Sequence, residues 1–181
     1  MTIVPAKSFD IPEIMQIERN AFIPAIQENN KTFEERLSVF PEGFLLFQEN
    51  GKTAGYLTSE IWTSIPQNDD FFALNHSTKN THNKNGNFLY VSSFALFSDY
   101  RGKGIAFSLF KESLFSLCAS FQNIKKVVLL VNSEWKGAHH IYEKCGFTEI
   151  RKVKDFFPSL HSSFSDGILM ECSADTFRVN L

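Results

Sequence analysis

The segment Tyr100-Arg101-Gly102-Lys103-Gly104-Ile105-Ala106 constrains the fold of this chain most, because it joins a predicted strand, residues 89–96, directly to a predicted apolar helix, residues 105–120. Its two glycines let the backbone approach a ligand without intervening side chains. The first amides of the following helix point outward, unpaired, at the positive end of the helix dipole. The junction therefore suits a phosphate or pyrophosphate. A plain glycine-rich turn between strand and helix fits the same residues.

The composition, 43% hydrophobic and 21% charged, predicts one globular domain over residues 1–181 with a substantial core. A net charge of −2 without runs of like charge argues against a nucleic-acid partner. The sequence shows neither a secretory signal pattern nor an apolar run of the roughly 20 residues that span a bilayer, so we expect a cytoplasmic protein without a membrane partner. Cys118, Cys145 and Cys172 lack CxxC pairing, which predicts free thiols and no metal site.

Hydrophobic periodicity and turn signals predict a mixed order of strands and helices. Asn50-Gly51 predicts a two-residue hairpin turn between strands 44–49 and 53–62, since both residues accept a positive φ. Thr32 and Glu35 fit a capping box that opens a short helix. The same signals predict strands at 2–7, 88–96, 127–131, 148–156 and 167–172, and helices at 10–21, 105–120 and 135–144. The order indicates an α/β fold with helices on both faces of one sheet.

Residues 63–87 are polar and rich in Asn, with no clear periodicity. A loop of about 25 residues inside a compact domain is usually functional or disordered, so we interpret this one as a candidate lid. His76 and His82 lie in it, either over the site or in solvent.

Two segments resemble the GNAT superfamily of N-acetyltransferases, which transfer an acetyl group from acetyl-CoA to an amine. The first matches the family signature Arg/Gln-x-x-Gly-x-Gly/Ala at Arg101, Gly104 and Ala106. The second, Ala138-His139-His140-Ile141-Tyr142-Glu143-Lys144-Cys145-Gly146-Phe147, resembles the family's Ala-x-x-x-Tyr-Glu-Lys-x-Gly-Phe helix end. The segments stand in the family's order. The glycines form neither GxGxxG nor a P-loop.

The resemblance implies a GNAT-type mixed, mainly antiparallel central sheet and acetyl-CoA as cosubstrate. In the family the CoA pyrophosphate rests on the amides of the signature loop, and the pantetheine arm pairs with the fourth strand, which splays from its neighbour. Many relatives carry Asn where this chain has Trp135, so Asn132 is not assigned to the cofactor. The cofactor-binding residues expected here are Phe94, Ala95, Leu96, Arg101, Gly102, Lys103, Gly104, Ile105 and Ala106.

The resemblance also implies direct attack of a neutral amine on the acetyl carbonyl, with Tyr142 as the general acid that protonates the leaving thiolate. A packed core tyrosine is the alternative. Glu60, near the end of the third strand, is the expected base, and a solvent-facing glutamate is its alternative. Relatives of the arylalkylamine type carry His where this chain has Tyr90 and Ser92, so no His relay is expected there.

We assign the acceptor amine to Trp62, Asp70 and Ser92, because aromatic and acidic groups suit a cationic amine. The alternative is a solvated Asp70 beside aromatic rings that pack on the core. Peptide, polyamine, arylalkylamine and aminoglycoside acceptors all remain open, and a monomer or homodimer is expected. A non-catalytic acyl-CoA-binding or sensing module on the same fold is the alternative function, and a generic nucleotide-binding domain is a third.

Overall fold

The structure, a computed structural model, describes residues 1–161 and 163–178. The strands are β1 (Thr2–Pro5), β2 (Phe44–Glu49), β3 (Lys52–Trp62), β4 (Phe88–Leu96), β5 (Lys126–Asn132), β6 (Thr148–Pro158) and β7 (Phe164–Ser173). The helices are α1 (Ile11–Ala21), α2 (Asn30–Val39), α3 (Thr78–Thr81), α4 (Ile105–Ser120) and α5 (Lys136–Lys144). The strands form a seven-stranded sheet in the order β1-β2-β3-β4-β5-β7-β6. Among the described strands only β4 and β5 pair in parallel, which confirms the expected mixed, mainly antiparallel α/β sheet.

The side chains of β2 divide the core between the two faces of the sheet, because successive residues of a strand point to opposite sides. Leu45 and Phe47 pack with buried residues of α4 and α5. Phe44 and Leu46 pack with buried residues of α1 and α2. Helices therefore cover both faces, as the sequence predicts. None of the helices in the described part of the chain is long and apolar enough to cross a membrane.

The hairpin prediction is confirmed, whereas the predicted capping box is wrong. Asn50 and Gly51 have φ values of 52° and 77°, as the tight turn between β2 and β3 requires. Helix α2 begins at Asn30, before the expected Thr32, because Asn29 caps it by accepting a hydrogen bond from the Thr32 amide at 3.0 Å. The Thr32 hydroxyl bonds instead to the Oδ1 atoms of Asn29 and Asn75.

The loop 63–87 contains a 3-10 turn, Asp69–Phe72, and the short helix α3. It is anchored to β3 by the buried carboxylate of Glu60, which accepts hydrogen bonds from His76 Nε2 and Thr81 Oγ1. Both anchors lie beyond Asp69–Phe72 in the chain. The loop folds back on the sheet, where the ring of Phe72 in the turn lies 5.4 Å from that of Trp62 on β3 and 5.5 Å from that of Tyr90 on β4.

Candidate active site

A cleft opens in the sheet where β4 and β5 diverge. The two strands pair only as far as Val91 and Leu129. Beyond these residues, β4 continues to Leu96 and β5 to Asn132, with no pairing between these described segments. The resulting cleft has a volume of about 250 Å³ and is lined by residues of both strands. Its outer walls come from α1, the α1–α2 connection, the loop 63–87, β6 and α5.

Strand β4 carries a bulge where it faces the cleft. Opposite β3, Thr58 pairs with Ser93 and Ser59 pairs with Val91, so Ser92 is the extra residue. A bulge interrupts the ladder and bends the strand, so that neighbouring residues can turn to the same side. Ser92 and Ser93 are both half-buried, and both line the cleft.

The loop after β4 has the backbone geometry of an anion cradle. Gly102 and Gly104 have φ values of 70° and 77°, and α4 begins directly afterwards at Ile105. No described residue accepts a hydrogen bond from the amides of residues 102–104, and the first amides of α4 have no partner within the helix. A Cβ at either glycine would meet nothing within 4 Å, so the glycines serve the backbone conformation.

The side chain of Arg101 braces this loop. Its Nε donates to the Leu96 carbonyl at 2.8 Å, and its guanidinium also reaches the backbone and side-chain oxygens of Asn20 on α1, each at 3.4 Å. Lys103 is exposed, with its ammonium 5.7 Å from the Tyr100 ring. Of the two cations in the loop, Lys103 is therefore the one free to approach a bound anion.

Tyr142 reaches the cleft from α5. Its side chain is 8% exposed, and its ring lies 5.0 Å from that of Phe110. Burial raises the pKa of the phenol, so the hydroxyl keeps its proton across the neutral range. The hydroxyl bonds to none of the described residues, which leaves it free to donate to a ligand.

Of the expected acceptor residues, only Ser92 lines the cleft. Trp62 is 3% exposed and stacks on Tyr90 with ring centroids 4.1 Å apart, so it supports the wall that Tyr90 forms. Asp70 is exposed in the turn of the loop 63–87, where its amide donates to Asn68 Oδ1 at 3.0 Å. Among the expected cofactor residues on β4, Phe94 lines the cleft and the side chains of Ala95 and Leu96 are buried.

The expected base, Glu60, lies outside the cleft lining. Burial raises the pKa of its carboxyl, but the hydrogen bond and charge of His76 outweigh burial and hold the pKa below its usual value. Glu60 is therefore an ionised anchor for the loop 63–87.

Two buried carboxylates that the sequence analysis did not select, Glu18 and Glu28, line the cleft. Glu28 forms an ion pair with Arg36 at 2.6 Å. Glu18 Oε1 accepts a hydrogen bond from the Glu28 amide at 2.7 Å, and Oε2 accepts one from the Tyr56 hydroxyl. Burial raises the pKa of the Glu18 carboxyl to about 7, against the lowering effect of these two hydrogen bonds.

Helical spacing was the signal that could have identified Glu18. Glu18 follows Ile11 by seven residues and Ile14 by four, and both isoleucines are buried. A glutamate on the apolar face of an amphipathic helix is buried with that face. No group of three His, Cys, Asp or Glu side chains within 1–161 and 163–178 is placed to hold a metal ion.

Comparison with known proteins identifies one matching family and many solved structures with the same fold. The model of the acetyltransferase (GNAT) family matches residues 11–147. A search of curated protein sequences finds no significant match. The ribosomal-protein-S18-alanine N-acetyltransferase from Escherichia coli superposes with a TM-score of 0.71 at 20% identity, covering 96% of this chain and 93% of that one.

Two further solved structures show the same fold. The loading GNATL domain of CurA from Lyngbya majuscula superposes with a TM-score of 0.79 at 14% identity, covering 96% of this chain and 98% of that one. Ard1 from Thermoplasma volcanium superposes with a TM-score of 0.72 at 19% identity, covering 95% of this chain and 96% of that one. The family match, together with this fold, assigns the chain to a class of proteins whose members bind acyl-CoA. The chain belongs to the GNAT acetyltransferase family, as the two sequence segments predicted.

Proposed function

We propose that this protein is an N-acetyltransferase that moves the acetyl group of acetyl-CoA to an amine of a small molecule or peptide. The observation that carries the proposal is the cleft between β4 and β5, which has the free hydroxyl of Tyr142 in its wall and is bordered by a strand, β4, that leads directly into the anion cradle. The proposed cofactor-binding residues are Phe94, Ala95, Leu96, Arg101, Gly102, Lys103, Gly104, Ile105 and Ala106.

The proposed cofactor position follows from the unpaired backbone of the site. Beyond Val91, the edge of β4 that faces the cleft offers amides and carbonyls, with which the two amides of pantetheine can pair as an added strand does. The pyrophosphate then lies on the free amides of 102–106, where the dipole of α4 adds to their attraction. Arg101 contributes by holding the loop in place.

The chemistry needs one proton donor and one proton acceptor. The amine nitrogen adds to the acetyl carbon, the tetrahedral intermediate collapses, and the carbon–sulfur bond breaks as Tyr142 gives its proton to the sulfur. A neutral phenol in a buried wall suits this role because it is protonated before the sulfur leaves. We place the acceptor amine beside Ser92, at the bulge of β4 that faces the cleft.

An amine panel tests the proposal. Purified protein with acetyl-CoA is offered phenethylamine, spermidine, an aminoglycoside and a peptide with an N-terminal alanine, the last because the Escherichia coli neighbour is named as an alanine N-acetyltransferase. CoA release is followed with a thiol reagent, and the acetylated product by mass. Tight acetyl-CoA binding without release for any amine would contradict an enzyme and favour the non-catalytic binding module.

Tyr142→Phe separates the two functions further. We expect kcat to fall about 100-fold, the scale of a lost general acid, while the calorimetric Kd for acetyl-CoA changes less than about twofold. A binding module predicts no functional change at all, and an unchanged kcat in an active enzyme would remove Tyr142 from the mechanism.

A further inference from the structure

We propose that Glu18 is the proton acceptor of this transfer, reached from the cleft through the hydroxyl groups of Ser93 and Tyr56. The inference rests on the proposed N-acetyltransferase function. It assigns the base to helix α1 and replaces Glu60, whose two carboxylate oxygens are occupied by His76 and Thr81.

The direction of the hydrogen-bond chain follows from counting protons. Tyr56 has one hydroxyl proton, which it donates to Glu18 Oε2. The Tyr56 oxygen also lies 3.0 Å from Ser93 Oγ, and since its own proton is committed, Ser93 is the donor there. The lone pairs of Ser93 Oγ are then available in the cleft. An amine N–H that binds to them is connected to a carboxylate through two hydroxyl groups.

The neighbouring Ser92 is connected to a positive charge, that of Arg36, rather than to a carboxylate. Ser92 Oγ lies 2.8 Å from Thr58 Oγ1, and Arg36 donates to the same Thr58 oxygen at 3.4 Å. A guanidinium has no lone pair with which to accept a proton. Of the two serines at the bulge, therefore, only Ser93 connects the cleft to an acceptor.

The surroundings of Glu18 suit a group that both takes and releases a proton. The titratable and charged groups that face it are Tyr56 on β3, Glu28 on the α1–α2 connection and Arg36 on α2, while β4 contributes the uncharged Ser93. Burial and the Glu28 charge raise its pKa, whereas the hydrogen bonds and Arg36 lower it, for a value of about 7. A base with a pKa close to the working pH is the most effective one.

The proposed step balances. As the nitrogen–carbon bond forms, the amine proton passes to Ser93 Oγ, the Ser93 proton to the Tyr56 oxygen and the Tyr56 proton to Glu18 Oε2. The carboxylate becomes a carboxylic acid, and both hydroxyl groups are restored. Tyr142 protonates the departing sulfur. After the products leave, solvent removes the proton from Glu18 and returns one to Tyr142.

The test is the pH profile of kcat, which reports the groups of the bound complex, measured with the panel amine of highest turnover. The wild type should gain activity as the pH rises through about 7, the pKa of Glu18. Glu18→Gln should lower kcat about 100-fold and abolish this rise. Glu13→Gln is the matched control, since Glu13 lies on the same helix and accepts from a hydroxyl of β3, Thr53 Oγ1, at 2.7 Å, but lies outside the cleft lining.

Two further variants distinguish a proton path from a structural role. Tyr56→Phe breaks the chain and removes a hydrogen bond that lowers the pKa of Glu18, so kcat should fall and the remaining rise should move to higher pH. Ser93→Ala should lower kcat, whereas Ser92→Ala should leave the midpoint of the rise in place.

A wild-type profile in Glu18→Gln would overturn the proposal, as would loss of the rise in Glu60→Gln alone. The absence of CoA release by the wild type with every amine removes the proposed function and this proposal together. Turnover with an unaltered Glu18→Gln profile removes only the role of Glu18.

Discussion

The proposed donor half of the site, residues 101–106 and Tyr142, differs in construction from the proposed acceptor half, which consists of Glu18, Tyr56 and Ser93. The donor half uses backbone amides of consecutive residues and a single phenol. The acceptor half uses side chains from α1, β3 and β4, which meet only in the folded chain. A change of backbone conformation should therefore disturb the donor half most. A change of buried charge should disturb the acceptor half most.

The largest expected effect is a dependence of protein stability on pH, which tests the buried charge of Glu18 in the acceptor half. The pKa of Glu18 rises from 4.5 to about 7 on folding, so between these values the folded state holds a proton that the unfolded state has lost. Stability from this group is complete below about pH 4.5 and is lost as the pH rises to about 7. At about 1.4 kcal/mol per pKa unit, the wild type should lose up to about 3 kcal/mol of unfolding free energy over this range, relative to Glu18→Gln.

Urea unfolding at pH values on both sides of this range measures the effect. Glu13→Gln should follow the wild-type pH dependence, because Glu13 is not deeply buried. Parallel curves for the wild type and Glu18→Gln would show that the acceptor half carries no cost of buried charge, and the contrast between the halves would fail.

An intermediate effect is expected in the donor half from Gly104→Ala. An L-residue at the observed φ of 77° is strained by about 1–2 kcal/mol, although its Cβ would meet no neighbour. Relief of this strain tilts the cradle amides, so we expect the calorimetric Kd for acetyl-CoA to rise about tenfold. The midpoint of the pH profile should stay in place.

Gly137→Ala is the matched control for an added methyl group. Gly137 lies in α5 with open space around its Cβ position, and alanine favours the helix. Equal losses of acetyl-CoA affinity in the two variants would show that backbone strain is not what the cradle depends on.

The smallest expected effect comes from Asp69→Asn. Asp69 pairs with Arg151 at 2.5 Å and joins the loop 63–87 to β6, two elements that both line the cleft, with 42% and 31% of the two side chains exposed. Exposed pairs of this kind contribute about 0–1 kcal/mol, so stability should change by less than about 1 kcal/mol and the acceptor KM should rise about twofold. High salt should remove the difference.

Glu171→Gln provides the comparison for this pair. Glu171 bonds to Lys126 at 2.5 Å between β5 and β7, outside the cleft lining. It should produce a similar change in stability with no change in the acceptor KM. A KM effect of equal size in both variants would show that the Asp69 pair does not act on the cleft.

The same contrast explains what the sequence could and could not predict. The 101–106 cradle and the Tyr142 helix end were predictable because each is a run of adjacent residues with fixed spacing. The strands and most helices followed from periodicity. Glu18 and Tyr56 lie 38 residues apart, and only the packing of α1 on β3 makes them partners.

Strand register is the other part that sequence reasoning could not reach. Alternation assigns side chains to faces only while the ladder is regular, and the bulge at Ser92 interrupts it. The role of Glu60 could not be predicted from the sequence either, because its partners His76 and Thr81 come from a segment without periodicity. A charge at a strand end indicates neither what it faces nor whether it is free.

The three buried cysteines have a practical consequence. Burial raises the pKa of Cys118 to about 12 and that of Cys145 to about 11, and it also raises the pKa of Cys172. Since the thiolate is the form that attacks a disulfide dye, the folded protein should be silent to such a dye. The colour in a turnover assay then belongs to released CoA, and the same dye added in urea reports unfolding as the three protein thiols emerge.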